Sequence, residues 1–168
     1  MKRILGIDPG LADTGVGIIE INNSKYTHIY HASIRTAADL SPGDRLAAIY
    51  DAIVEVIHTY NPDGAGIECL YFARNSTSAL PVAQARGVIL LAMQQHSVAA
   101  AEYTPQAIKQ AMVGYGRAEK QQVQQMVKMV LGLTEIPRPD HAADALAAAI
   151  CHANTTGFFS RIPAQGSL

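Results

Sequence analysis

The chain has 168 residues, of which 49% are hydrophobic and 16% charged, a balance typical of one globular domain and not of a disordered protein. The formal net charge of −1 at pH 7 does not by itself indicate a nucleic-acid partner. No apolar run is long enough to cross a membrane, and Cys69 and Cys151 form no metal-binding or redox motif. We therefore expect a reduced, cytoplasmic protein without a membrane segment.

Residues 5–19 predict two strands joined by a tight turn. Leu5 and Ile7 are apolar strand formers, and Pro9 with Gly10 cannot continue a central strand. Asp8 lies at the end of the first strand, where an unpaired buried carboxylate is costly and needs an amide, a base or a metal ion. This stretch alone leaves two interpretations open, an ordinary turn aspartate and a functional acid.

The rest of the chain alternates strand and helix patterns without an internal repeat. Predicted strands cover 25–33, 64–70 and 97–103, and predicted helices cover 44–60, 80–95, 106–113 and 118–131, with a final helix opening near residue 137. Thr104 and Asp140 are expected to cap the helices that follow them. We predict one domain over 1–153 and a mobile tail over 154–168.

The charge distribution is uneven although the net charge is small. Basic residues outnumber acids between positions 74 and 128: Arg74, Arg86, Lys109, Arg117, Lys120 and Lys128 against Glu102 and Glu119. A basic surface beside an acidic pocket suits a metal-dependent enzyme that acts on a polyanion. The alternative is a set of ordinary solvated helix faces.

Four polar residues lie at chain reversals that could meet at one sheet edge. Asp8 and Glu68 end apolar strands, and His141 and Asp144 share one face of the last helix. If that helix packs across the sheet, the four would repel or desolvate one another without a cation. Oxygen-rich ligands suit Mg²⁺ or Mn²⁺, and a pair of ions would clamp an in-line phosphoryl displacement. Zinc is disfavoured, because only one of the four is a histidine and no cysteine pair is present.

Four segments, GIDPG, IECLYFARN, IKQAMVGYGRAEK and DHAADALAAAICHA, together resemble the RuvC family of bacterial Holliday-junction resolvases, in the same order from Ile4 to about Ala153. The resemblance implies an α/β, ribonuclease-H-like fold, a mixed five-stranded sheet flanked by helices. It also implies a Mg²⁺-dependent endonuclease of DNA recombination and repair. Such an enzyme nicks two strands of like polarity symmetrically across a four-way junction, near a T-T step, and leaves five-prime phosphates.

The resemblance assigns Asp8, Glu68, His141 and Asp144 as catalytic metal ligands, with two ions per subunit and Mn²⁺ able to replace Mg²⁺. Asp8 would bridge the ions, Glu68 and Asp144 would hold one each, and His141 would complete one shell. Many members have an aspartate in place of His141. Neutral imidazole can still bind a divalent ion, so we keep His141 as a ligand and expect a tilt towards Mn²⁺. Asp140 could substitute, but we expect it to cap the helix.

The resemblance also implies DNA contacts and partners. Lys109 and Lys120 would face the scissile strand, Tyr71 would stack on an unpaired base, and Arg74, like Arg86, would contact phosphate. Each also has an ordinary interpretation as a rim or solvated surface residue. The two-fold symmetry of a junction favours a homodimer, for which the apolar helix 80–95 is the candidate interface. A further implied partner is the RuvA–RuvB branch-migration complex.

Three other functions remain open at this stage. An actin-like ATPase or sugar kinase also places an acidic turn between its first strands, but this chain is too short for two lobes and lacks a second Gly-rich phosphate loop. A non-catalytic junction-binding module would not need Asp8. A ribonuclease of the same fold would act on RNA.

Overall fold

A five-stranded mixed sheet forms the centre of the molecule, in a computed structural model that describes residues 1–23, 25–69 and 76–159. An antiparallel meander comes first, and two strands parallel to its first strand complete the sheet in the order β3-β2-β1-β4-β5. The strands are β1 (Lys2–Asp8), β2 (Asp13–Asn22), β3 (Lys25–Arg35), β4 (Gly64–Glu68) and β5 (Ala100–Tyr103). The predicted mixed five-stranded sheet is confirmed.

Helices cover both faces of the sheet. The described helices are α1 (Pro42–Tyr60), α2 (Ser76–Gln95), α3 (Pro105–Val113), α4 (Lys120–Leu131) and α5 (Asp140–Phe159). One core cluster joins α1 and α2 to one sheet face, and a second joins α3, α4 and α5 to the other. Within the described ranges, none of these helices is both long and apolar enough to span a bilayer.

Local capping explains where two of the helices begin. Ser41 Oγ accepts a hydrogen bond from the Asp44 amide at 3.2 Å, and proline follows at the first helical position of α1. At α3, Thr104 Oγ1 accepts from the Ala107 amide at 3.0 Å, which confirms the predicted cap.

Glycines on the sheet allow α5 to lie directly against the strands. A Cβ atom added at Gly6 would lie 1.8 Å from the Ala145 carbonyl oxygen, and one at Gly15 would lie 1.9 Å from the His141 carbonyl oxygen. Such distances are far below van der Waals contact, so only glycine fits at these crossings. The close approach holds the start of α5 over the ends of β1 and β2.

Some predicted boundaries differ from the structure. The α2 helix begins at Ser76, inside a polar loop that the sequence predicts over 71–78. The β5 strand begins only at Ala100, because Ser97 adopts a positive φ of 58° in the preceding turn. The α5 helix continues to Phe159 and so extends into the predicted tail. Position 70 of the predicted strand, positions 71–75 of the predicted loop and positions 160–168 of the predicted tail lie outside the described residues.

Candidate active site

Two of the four predicted ligands end adjacent parallel strands. Ile7 of β1 pairs with Ile67 of β4, so Asp8 and Glu68, the next residues, come side by side. Alternation along a strand places both on the same sheet face as Gly6 and Gly66, whose backbones contact α5. Both carboxyl groups therefore lie on the face that α5 covers.

The first turns of α5 bring the other two candidates to Asp8. His141 Nδ1 donates a hydrogen bond to Asp8 Oδ2 at 2.7 Å. One potential ligand atom from each of Asp8, His141 and Asp144 lies within 4.8 Å of the others. The predicted convergence of these three residues is thus observed, and it depends on the contact between α5 and the glycines beneath it.

Glu68 lies beside this group, in a cavity of about 260 Å³ that Lys109, Lys120 and Asp144 also line. Burial, together with the negative charges of Asp8 and Asp144, raises the pKa of Glu68 from 4.5 to about 7, although the two lysines oppose the shift. The negative charges of Asp8 and Asp144 therefore oppose ionisation of the Glu68 carboxyl group, which is only partly ionised near neutral pH.

The site raises the pKa values of both Asp8 and His141. Burial raises the pKa of Asp8 despite its hydrogen bond from His141. Burial lowers the pKa of His141, but the hydrogen bond to Asp8 and the charges of Asp8, Asp13 and Asp144 outweigh it, so the net shift is upward. Asp13 was not singled out in the sequence, where it looks like an ordinary residue at the start of β2.

Lys120 reaches into the site from the first turn of α4. Its Nζ donates to Asp144 Oδ2 at 2.9 Å and lies 3.5 Å from Asp140 Oδ2. Partial burial lowers the pKa of Lys120, but the bonds to Asp144 and Asp140 outweigh it and leave the pKa raised. Lys109 lines the same cavity, so both lysines predicted to contact DNA lie beside the acids.

Asp140 differs from its predicted capping role. It is the first residue of α5, and the carbonyl of Pro139 accepts the Ala142 and Ala143 amides at the helix start. The Asp140 carboxylate instead accepts hydrogen bonds from Arg138 Nη1 at 2.7 Å and Gln124 Nε2 at 3.4 Å. Nearby cations and an amide donor have overridden the local preference for a cap.

Of the other residues predicted to contact DNA, only Arg86 lies in the part of the chain that the structure describes. Tyr71 and Arg74 lie outside the described residues. The Arg86 guanidinium donates from Nε and Nη2 to the Glu102 carboxylate, so this arginine joins α2 to β5.

The donor set fits a hard divalent cation. Three carboxyl groups and one imidazole offer mainly oxygen ligands, which suit Mg²⁺ or Mn²⁺. Burial is the main cause of the raised pKa values of Asp8 and Glu68, and repulsion between neighbouring carboxylates adds to it, while Asp144 already contacts the Lys120 ammonium. A cation would relieve the same repulsion.

Comparison with known sequences gives matches over almost the whole chain. The family profile described as "Crossover junction endodeoxyribonuclease RuvC" matches residues 4–152. The RuvC protein of that description from Treponema denticola is 56% identical over 151 residues, covering 90% of this chain and 85% of the relative. The one from Caldanaerobacter subterraneus is 46% identical over 160 residues, covering 95% and 97%.

Solved structures show the same architecture. The Thermus thermophilus RuvC structure superposes with a TM-score of 0.88 and 33% identity, covering 94% of this chain and 96% of that one. Its complex with a Holliday junction substrate gives a TM-score of 0.90 at 33% identity, covering 95% and 98%. A yeast mitochondrial Holliday junction resolvase, at 14% identity and a TM-score of 0.64, shares the fold and confirms the predicted fold class.

Proposed function

The chain belongs to the RuvC family of crossover junction endodeoxyribonucleases, and we propose that Asp8, Glu68, His141 and Asp144 are the residues with which it cleaves four-way DNA junctions. The observation that carries the proposal is the convergence of Asp8, His141 and Asp144 within 4.8 Å, at the edge where Glu68 ends the neighbouring strand. Membership of a nuclease family sets aside the kinase-like and non-catalytic alternatives.

We assign the metal ligands on the chemistry of the four side chains. Asp8 would serve both ions, Glu68 and Asp144 would hold one each, and His141 would complete one shell, with Mg²⁺ as the ion and Mn²⁺ as a substitute. When bound, the ions stabilise the attacking and leaving oxygens of the phosphoryl displacement. Glu68 must lose a proton to serve as a ligand, so its pKa of about 7 makes metal affinity depend on pH near neutrality.

The lysines and the segment after β4 supply the DNA contacts in this proposal. Lys109 and Lys120 line the cavity beside Glu68 and neutralise phosphate charge at the scissile strand. Tyr71 stacks on an unpaired base, and Arg74 contacts phosphate. The preferred cleavage position is near a T-T step.

Symmetric cleavage requires two sites related by a two-fold axis, which a homodimer supplies. The α2 helix is our candidate interface, because Leu80 and Leu91 on it are 68% and 51% exposed. Such a dimer nicks two strands of like polarity and leaves ligatable five-prime phosphates. We place it in the cytoplasm, in recombination and repair, with the RuvA–RuvB complex as its partner.

A labelled four-way junction tests the proposal. Wild type should produce paired nicks in Mg²⁺ and none in EDTA, whereas Asp8→Asn should bind the junction without nicking it. The charge-matched control is Asp39→Asn, in an exposed loop, which should nick like wild type. Nicking by Asp8→Asn at the wild-type rate would remove Asp8 from the mechanism. An RNA–DNA hybrid as a second substrate distinguishes a ribonuclease of the same fold.

A further inference from the structure

Lys120 lies between two carboxylates that differ in their relation to the candidate metal ligands. Asp144, whose Oδ2 accepts a hydrogen bond from Lys120 Nζ at 2.9 Å, belongs to the group that converges on Asp8. Asp140, whose Oδ2 lies 3.5 Å from the same Nζ, is not part of that group in the described chain. The ammonium therefore contacts one candidate ligand and one acid outside the ligand set.

Protein contacts hold Asp140 in place without help from a metal ion. Arg138 Nη1 donates to its Oδ1 at 2.7 Å, and Gln124 Nε2 lies 3.4 Å from the same oxygen. Gln124 is only 6% exposed and lies in the same helix as Lys120. Reciprocal hydrogen bonds between Glu119 and Gln122 fix the start of that helix. Asp140 and the backbone of Lys120 thus keep a defined separation.

A divalent cation and an ammonium compete for Asp144. Like charges that share one carboxylate repel each other, so a cation bound to Asp144 drives Lys120 Nζ away. A lysine side chain released into water has many conformations, and ordering it again on a phosphate costs entropy. Asp140 offers the displaced ammonium a second carboxylate that is already within 3.5 Å.

We propose that Asp140 is a positioning residue that retains Lys120 at the rim of the site when a divalent cation replaces it on Asp144. The retained ammonium then faces the scissile phosphate, and its attraction to Asp140 weakens its competition with the metal. This proposal rests on the proposed function, because it assumes that Asp144 is a metal ligand.

The proposal predicts a specific coupling between Asp140 and Lys120. Asp140→Asn should weaken Mn²⁺ binding by about two- to fivefold, the range that partly exposed ion pairs reach, because Lys120 then stays on Asp144. In a Lys120→Met background, the same substitution should change Mn²⁺ affinity by less than half as much on a logarithmic scale. Asp140→Glu, which keeps the charge, should restore binding towards the wild-type value.

Isothermal titration of the full-length, DNA-free protein with Mn²⁺ measures this double-mutant cycle. Glu135→Gln, an exposed acid on the segment before α5, reports the effect of losing one nearby charge. If Asp140→Asn changed Mn²⁺ affinity equally in the wild-type and Lys120→Met backgrounds, Asp140 would act by its charge alone and not through Lys120. That result would overturn this proposal but leave the proposed metal site standing. Failure of wild type to bind Mn²⁺, or full binding by Asp8→Asn, would overturn the proposed metal site as well.

Discussion

His141 Nδ1 lies 2.7 Å from Asp8 Oδ2, although the two residues are 133 positions apart in the sequence. The contact exists because α5 crosses the sheet with its backbone against strand glycines. Asp8 pairs with Gly15 across β1 and β2, and the missing Cβ of Gly15 leaves room for the His141 carbonyl. The geometry of the site is therefore set by backbone packing as much as by the polar side chains.

Gly15→Ala should damage both the fold and the site. Its Cβ would lie 1.9 Å from the His141 carbonyl oxygen, so the first turn of α5 must move away from β2. We expect a loss of about 1–3 kcal/mol in the free energy of unfolding, as for other overpacked cores, together with weaker Mn²⁺ binding. Urea unfolding and Mn²⁺ titration measure the two effects.

Gly43→Ala is the matched control, because a Cβ there has Ser41 Oγ at 3.9 Å as its nearest neighbour. It should leave Mn²⁺ binding unchanged and should not lower stability. Wild-type stability and metal affinity in Gly15→Ala would show that α5 does not depend on this close approach.

The metal-free protein should lose stability as the pH rises towards 8. Burial and the charges of Asp8 and Asp144 raise the pKa of Glu68 from 4.5 to about 7, so the folded state binds more protons than the unfolded state between these values. This contribution is fully present below 4.5 and is lost as the pH passes through about 7. The raised pKa values of Asp8 and His141 act in the same direction.

Urea unfolding in EDTA at pH 5 and pH 8 checks this prediction. Wild type should be less stable at pH 8 by on the order of 1–3 kcal/mol, and Glu68→Gln should reduce that difference. Replacing EDTA with Mn²⁺ should also reduce the difference in stability between pH 5 and pH 8, because a cation favours the ionised carboxylate. Glu135→Gln, with an exposed carboxyl group, should behave like wild type. An identical pH dependence in wild type and Glu68→Gln would contradict the assigned protonation.

His141→Asp should keep nicking activity and shift the metal optimum towards Mg²⁺. A carboxylate replaces the imidazole as ligand and adds negative charge, which favours the harder ion. Nicking rates in Mg²⁺ and Mn²⁺ measure the shift, with His141→Ala as the comparison that removes the ligand. Inactivity of His141→Asp in both metals would refute this role for residue 141.

Leu91→Glu should dissociate the proposed homodimer. Leu91 is 51% exposed on α2, and a buried, unpaired carboxylate at an interface would oppose association. Sedimentation velocity should show a shift towards monomer. Cleavage of a labelled four-way junction should show a loss of paired nicking. Leu40→Glu, on another leucine that is 43% exposed, is the control and should remain dimeric. A dimeric Leu91→Glu protein would move the interface away from this part of α2.

Much of the site could be predicted because its signals are local. Asp8 and Glu68 end runs of apolar residues, and His141 and Asp144 recur on one helix face, so their functional interest is visible in the sequence. The strand pairing supplies what those signals lack. The alignment of Ile7 with Ile67 places the two strand-end acids side by side on one face.

Two expectations differ from the structure where side-chain contacts override a local preference. Asp140 has the sequence context of a helix cap, but Arg138 and Lys120 engage its carboxylate instead. The sequence loses its helical periodicity from Thr155, yet α5 continues to Phe159, and the hydroxyls of Thr155 and Thr156 donate to the carbonyls of Cys151 and His152 within it. The ion pair of Lys120 with Asp144 depends on how α4 docks, which no local pattern encodes.

Anomalous diffraction from crystals grown with Mn²⁺ would locate the metal site and its ligands. We expect Mn²⁺ at about 2.0–2.6 Å from side-chain oxygens of Asp8 and Asp144, with Glu68 and His141 facing the same ions and Lys120 Nζ displaced from Asp144. Mn²⁺ bound elsewhere in a nicking-competent protein, with Lys120 still on Asp144, would contradict the proposed metal site.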